Sequence, residues 1–455
     1  MPTAYTILFL LLILVAAATW IIPAGSYDYV DGVPVAGTYH TVEQNPQGVG
    51  DVLKAAFSGF YDAVDVCIFI LMVGGFLGVV MKTGAVDAGV ANIIRLLGGR
   101  EKWLIPILML LFGLGGTTYG MWEETMAFYP LLIPVFLAAG YDAVVGISVI
   151  LLGAGAGVIA STVNPFATGI AAGFAGVSLG EGIVLRLLEW VAFEAAAIWF
   201  VMAYAAKVKK NPSKSVVGVG AGKIQVSMDQ QVPFTAKRKV IMALFTLTFL
   251  IMVYAVVPFD EMGLPLPTLG WWFPELSALF LVAGVVIGLI DRMSEEELVE
   301  IYVAGCADLL GVAFIIGISR GITVLMNDGA ITDTVLHWGE QALSGAGAIS
   351  FTLLVFALYL PLTILIPSSS GLATLSIPIV APLGKFAGVG GDLVVTAFQS
   401  ASGLVNIITP TAAVVMGALA LGHVPYDRWV KYVWKLILWF LLLALAFLVA
   451  GVLLG

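Results

Sequence analysis

Apolar residues along this chain gather into runs near the 20 or so a helix needs to cross a bilayer, separated by short polar stretches. Uninterrupted runs at 4–22, 64–82, 183–206, 238–258, 275–291, 302–326 and 432–454 each predict a transmembrane helix. Two further crossings, 143–179 and 392–421, are interrupted by Gly, Ser, Asn, Thr and Pro. The regions 104–138 and 349–387 are too long for one span, and each carries a polar Gly/Ser/Thr cluster at its centre. They predict re-entrant helical hairpins that enter and leave on one side. The stretch 84–100 reads as a short interfacial helix bearing Arg95. Residues 208–236, with Lys, Ser and Gly and no apolar periodicity, read as a cytoplasmic linker.

Composition narrows the class. Of 455 residues 60% are hydrophobic and 11% charged, against roughly 45–50% and about 25% in soluble domains. A chain this apolar cannot hide its surplus in a water-soluble core, and disorder requires the opposite balance. Cys67 and Cys306 lie in apolar runs and His40, His337 and His423 are scattered, so neither a disulfide framework nor a zinc or histidine metal site is indicated. The first run follows only "MPT", without a positive n-region, and is expected to be a retained span rather than a signal peptide. Basic residues then orient the layout. With the N-terminus cytoplasmic, 16 of the 20 Lys and Arg fall on the cytoplasmic side, the exceptions being Lys54, Arg186, Arg320 and Lys385.

The second half repeats the first at an offset of about 245. "MKTGAVD" (81–87) answers "MNDGAIT" (326–332), and "GFYD" (59–62) answers "GCAD" (305–308). Pro130 and Pro134 answer Pro378 and Pro382, "GYDAVV" (140–145) answers "GGDLVV" (390–395), and "NPFAT" (164–168) answers "TPTAA" (409–413). Each repeat holds four crossings and one hairpin. A joining span at 237–260 starts the second repeat, 261–455, on the face opposite to the first, 1–207. The predicted fold is therefore an all-α polytopic membrane protein of two inverted-topology repeats, the usual plan of secondary transporters.

Irregular backbone at membrane depth is tolerated only where it is buried in protein or lines a wet cavity. Its free carbonyls can hold Na⁺, and half-helix N-termini attract carboxylates. Four places qualify. The first hairpin tip, "GGTTYGMWEETMAFYP" (115–130), carries Thr117, Thr118, Glu123, Glu124 and Thr125. Either the glutamates reach water, or at least one faces the substrate cavity to bind a cation or carry a proton. The first broken helix, "ASTVNPFATG" (160–169), offers Ser161, Thr162, Asn164 and Thr168, unless it is a proline kink healed by hydroxyls. The second tip, "IPSSSGLATLS" (366–376), sets Ser368, Ser369 and Ser370 before a half-helix, as a carboxylate or ion cradle or as a plain gate. The second broken helix, "QSASGLVNIITPTAA" (399–413), offers Ser400, Ser402, Asn406, Thr409 and Thr411. Arg320 is a lone basic residue well inside a predicted span and costs several kcal/mol unless paired or hydrated. It could clamp a substrate carboxylate or serve as a fixed partner of Glu189, Glu194 or Asp308. Arg186 and Glu189 are expected to form an interfacial pair.

At these motifs the chain resembles a known family. "GTTYGMWEETMAFYPLLIPV", "STVNPFATGIA", "IPSSSGLATLSIPI" and "ITPTAAVVMGALALGHVPYDRW" are similar to the YfcC group of basic amino acid antiporters, akin to arginine/ornithine exchangers and four-carbon dicarboxylate carriers. The resemblance covers nearly the whole chain outside 208–236. It implies a homodimer in a prokaryotic cytoplasmic (inner) membrane, each protomer with a scaffold domain and a mobile domain working by an elevator movement. It also implies ligands from Thr117 to Glu124, Ser368 to Ser370, Ser161 to Asn164 and Asn406 to Thr411.

The expected function is secondary transport of a basic amino acid, in arginine/ornithine-like exchange by alternating access, with Glu123 or Glu124 for the cationic group and Ser368 to Ser370 or Arg320 for the carboxylate. The alternative is a Na⁺- or H⁺-coupled carboxylate or dicarboxylate carrier, with Na⁺ near Ser161, Thr162, Asn164, Ser402 and Thr411. No cofactor beyond a coupling Na⁺ or H⁺ and no nucleic-acid partner is expected. Neither a catalytic triad, a metal cluster, a phosphate loop nor an ATP-binding motif is present in the sequence, and a channel would need a continuous polar stripe, which is missing.

Overall fold

The computed structural model describes residues 4–30, 33–86, 88, 89, 92, 100–118, 120–178, 180–218, 233–256, 259 and 265–454. Arg95, most of the expected interfacial helix and residues 219–232 of the expected linker lie outside them. Each uninterrupted apolar run forms a helix. These are α1 (Ala4–Ala18), α3 (Val64–Lys82), α8 (Ile183–Lys210), α9 (Ala236–Val256), α10 (Phe273–Asp291), α11 (Glu295–Asp328) and α17 (Tyr426–Leu454). Two amphipathic helices appear in stretches expected to be outer loops: α2 (Val49–Asp62) and α12 (Thr332–Leu343).

Each region read as a hairpin folds as two helices: α4 (Leu104–Thr118) and α5 (Tyr129–Ala138) in the first, α13 (Ala348–Leu365) and α14 (Ser369–Phe386) in the second. Both broken helices break where Pro, Asn and Thr interrupt the run. The first consists of α6 (Ala143–Ile159), a π-turn at Pro165–Gly169 and α7 (Ile170–Ala175); the second consists of α15 (Gly391–Asn406) and α16 (Ala413–Leu421). The π-turn closes with Gly169 N donating to Asn164 O at 2.8 Å. Five of these helices, α3, α10, α11, α13 and α17, have the length and apolarity to cross a membrane.

The same packing pattern occurs in each half. Helix α1 lies on α11 and α10 on α3; α4 lies on α6 and α13 on α15; α6 lies on α8 and α15 on α17. α6 and α15 meet each other and are buried along their whole lengths. α6 is apolar all round and so packs on every side, whereas α15 also buries Thr396, Gln399 and Ser400, whose side chains bond to Asp392 O, Val158 O and Glu189.

Helices α2 and α3, joined at Ala63, run against the long α11 at backbone distance. A Cβ on Gly59 would stand 2.1 Å from the Gly317 carbonyl oxygen, and one on Gly305 2.4 Å from that of Gly74. Gly59 and Gly305 are the glycines of the "GFYD" and "GCAD" segments, and each sits at such a close approach. The segment 23–41 folds as two small antiparallel ribbons, Gly25–Ser26 with His40–Thr41 and Tyr29–Val30 with Val33–Pro34. They rest on α12 and α14.

Candidate functional site

The two hairpin tips and the two helix breaks converge on one pocket of about 250 Å³, walled on its other side by α3, α10 and α11. Local sequence sets each piece. Gly120, at φ +77°, turns the first tip, and a Cβ there would meet the Asn164 amide at 2.4 Å. The chain then enters a 3₁₀ turn, Glu123–Phe128, which carries both glutamates. Glu124 is buried, and its Oε2 accepts from Trp122 N at 3.1 Å. At the second tip Ser368 caps α14, its Oγ accepting from Gly371 N at 3.2 Å, and Pro367 to Ser370 line the pocket.

Among the expected ligands the structure brings together Glu123, Glu124, Asn164, Arg320, Ser368, Ser369, Ser370, Asn406 and Thr411 on this pocket. The others do not line it. Thr117 is buried and hydrogen-bonded to Thr162 and to Ala160 O; Thr118 donates back to Leu114 O. Ser161 is buried and accepts from Thr168 Oγ1 at 2.8 Å, and Thr409 pairs with Thr411 at 2.8 Å. Ser402 is buried, with no hydrogen-bond partner for its hydroxyl among the described residues. The hydroxyls of Thr117, Ser161 and Thr162 thus hold the tip and the break in shape.

The structure adds residues the sequence reading passed over. Asp62 and Asp65 line the pocket from the junction of α2 and α3, and Trp272 and Ser319 line it from α10 and α11. The partner of Arg320 is Asp62, Nε to Oδ2 3.8 Å, instead of Glu189, Glu194 or Asp308. Ser319 Oγ donates to Thr411 O. Asp62 and Asp65 sat at the predicted end of a span, where acids are ordinary. The available signal was two acids three positions apart at a span end, in a chain with a lone arginine inside another span. Arg186 and Glu189, expected at an interface, are buried; Arg186 donates to Glu181 O at 3.0 Å and Glu189 accepts from Ser400 Oγ at 2.7 Å.

The pocket therefore collects four carboxylates, Asp62, Asp65, Glu123 and Glu124, around Arg320, the only Lys or Arg among its described lining residues. Such a wall attracts a cation. Across α11 and α16 lies a larger, mostly apolar cavity of about 1370 Å³, whose mouth carries His423, Asp427, Arg428 and Lys431. Val312, Ile315 and Met416 face it, while Ile316, Ser319 and Val414 face the smaller pocket.

Two solved transporters are similar over almost the whole chain: Alcanivorax borkumensis YdaH (15% identical, 98% of both chains, TM-score 0.44) and Neisseria gonorrhoeae MtrF, from a class of antimetabolite efflux pumps (17% identical, 98% of this chain and 94% of the other, TM-score 0.44). An uncharacterized Haemophilus influenzae protein is 35% identical over 503 aligned positions, covering 99% of this chain and 97% of the relative. Escherichia coli YfcC, whose name includes the words basic amino acid antiporter, is 31% identical over 480 positions, covering 95% of this chain and 92% of its own length. YfcC by its name and the matching family by its description are transporters rather than enzymes. The model of the DcuC family, described as C4-dicarboxylate anaerobic carriers, matches residues 1–453, and the chain belongs to that family of multi-pass membrane transporters.

Proposed function

We propose that this transporter moves a basic amino acid across the cytoplasmic membrane by alternating access, in exchange for a second one. The observation that carries this reading is the excess of carboxylate over guanidinium in the pocket, four to one among its described lining residues. Glu123 and Glu124 are the half-buried and buried members of this set, and charge withdrawn from water in a membrane protein has to be matched. A dicarboxylate would add two negative charges to such a site; arginine, ornithine or lysine brings the missing positive charge. Glu123 and Glu124 take the side-chain cation. The substrate carboxylate lies at the N-terminus of α14, where unpaired backbone N–H groups and Ser369 and Ser370 can donate to it.

Two cavities on opposite sides of one thin α11–α16 contact support alternating access: opening that contact would pass cargo from one cavity to the other. In our reading the halves are inverted repeats. The hairpins and broken helices form the mobile, cargo-bearing part, and α2, α3, α10 and α11 the scaffold. The protein works as a homodimer in the inner membrane with its N-terminal side cytoplasmic. Buried hydroxyls and carbonyls at Ser161, Thr162, Asn164, Ser402 and Thr411 are the place for a coupling Na⁺, if exchange is ion-coupled.

A second reading has one specific support. Arg320 and the serine-capped end of α14 could each hold one end of a four-carbon dicarboxylate, the cargo named in the family's description. Proteoliposomes separate the two. Labelled arginine should enter vesicles preloaded with unlabelled arginine or ornithine, and excess succinate should not compete. Uptake of succinate driven by a Na⁺ or H⁺ gradient, with arginine inert, would overturn the basic amino acid reading.

A further inference from the structure

Arg320 sits on the fixed side of the pocket. Its neighbours Gly317 and Gly321 press α11 onto α2, where added Cβ atoms would meet Phe60 at 2.5 Å and Ala55 O at 2.7 Å. The Arg320 backbone therefore cannot move away from Asp62 without parting two helices packed at backbone distance. Its guanidinium is held loosely by comparison: one contact to Asp62 of 3.8 Å, with the arginine side chain 25% and the aspartate 54% exposed. Glu123, on the first hairpin tip, lines the same small pocket as Arg320. One residue earlier, Ser319 donates to Thr411 O in the second break. A single turn of α11 thus meets the cargo-bearing side through one hydrogen bond and places one positive charge in the same pocket as a tip carboxylate.

We propose that Arg320 locks the empty pocket. It stands in for the missing cargo cation, and its attraction to Glu123 holds the hairpin tip against α11 until a cationic substrate takes the carboxylate over. This rests on the basic amino acid reading and deepens it. An empty carrier that cannot part from α11 cannot reorient, so transport becomes strict exchange: each outward step must be followed by an inward step with cargo aboard. A loaded pocket, its carboxylates already neutralised, is free to part. Asp62 moderates the lock by sharing the guanidinium.

The measurement is the ratio of net efflux to exchange. Purified protein in vesicles preloaded with labelled arginine is diluted into buffer with or without unlabelled arginine, and the two efflux rates are divided, which cancels differences in protein amount. The wild type should show a low ratio. Arg320→Gln should raise it about tenfold, while Arg320→Lys, which keeps the charge, should stay near wild type. Arg320→Met removes the charge with an apolar chain of similar reach and serves where the glutamine variant fails to insert. A neutral variant with the wild-type ratio, or a wild type whose net efflux already equals its exchange, overturns the lock and leaves the substrate reading standing. A wild type that exchanges succinate but not arginine overturns both.

Discussion

Thr117 and Thr162 bind each other through both backbone and side chain. Thr162 N and Oγ1 each donate to Thr117 O at 2.9 Å, and Thr117 Oγ1 lies 3.1 Å from Thr162 N and 3.2 Å from Thr162 Oγ1. One residue ends α4 at the first hairpin tip; the other opens the first helix break. A gap at either would leave buried backbone donors and carbonyls unpaired. The knot is what allows two irregular stretches to sit side by side in an apolar surround.

Replacing either threonine with valine keeps the shape and removes the hydroxyl. Each change should destabilise the protein by about 1–3 kcal/mol, the cost of a buried polar group left without its partner. Because both hydroxyls serve one network, Thr117→Val combined with Thr162→Val should cost clearly less than the two singles added. Thermal unfolding in detergent reads this directly. Strict additivity would mean the two hydroxyls act independently.

Two glycines of α2 make a matched pair. A Cβ at Gly59 would stand 2.1 Å from the Gly317 oxygen, whereas one at Gly50 meets nothing within 4 Å. Gly50→Ala should be neutral or stabilising by up to about 1 kcal/mol, since alanine is the better helix former. Gly59→Ala should destabilise by about 1–3 kcal/mol or prevent insertion, because α2 and α11 must part. Detergent melting points of the two variants give the comparison, and equal melting points would refute the close approach.

Much of this architecture was legible because the bilayer imposes a crude rule that the sequence obeys. Long apolar runs become helices, and a run interrupted by "GGTT" or "IPSSS" becomes a hairpin whose tip is polar for a reason. Arg320 stood out as a cation with no business at depth. What escaped was amphipathic or relational. Helix α2 carries Asp51, Lys54 and Asp62 between apolar positions, so an average over 20 residues hides it. Thr117 and Glu123 look alike from sequence, two polar residues at one tip. Only packing shows that the first is spent on Thr162 and the second is left facing the pocket with Arg320. Asp62 needed the third dimension too, since its partner lies 258 positions away.

Outside the membrane the 23–41 segment is tied to α12 through tyrosines. Tyr27 is buried and its hydroxyl donates to Glu340 at 2.8 Å; Tyr29 donates to Asp333 at 2.8 Å. Burial first, and then the bond to Glu340, push the Tyr27 phenol well above its ordinary value of 10.0. The folded state holds this proton more tightly than the unfolded chain does. The stabilisation is therefore complete below pH 10.0 and is lost as pH rises beyond it. Tyr27→Phe should be less stable than wild type at about pH 8 and should lose less stability between about pH 8 and about pH 11. Melting curves at the two pH values test it, and parallel losses would show that Tyr27 contributes nothing to the alkaline slope.

Glu123 and Glu124 share a 3₁₀ turn but differ in setting. Glu124 is 6% exposed and already accepts from Trp122 N, whereas Glu123 is more open and lines the same pocket as Arg320. If the cargo is cationic, each carboxylate contributes a charge-assisted contact, and Gln at either site should raise the arginine KM by about 10- to 100-fold. The two should diverge in stability. Gln at 124 keeps a carbonyl that can accept from Trp122 N and should fold normally. Gln at 123 leaves Arg320 with Asp62 alone, and its ratio of net efflux to exchange should rise along with KM. Measuring KM, melting point and that ratio on both variants distinguishes a binding carboxylate from one that binds and also releases the lock. Wild-type KM in both single variants and in the double variant would remove the pair from the site.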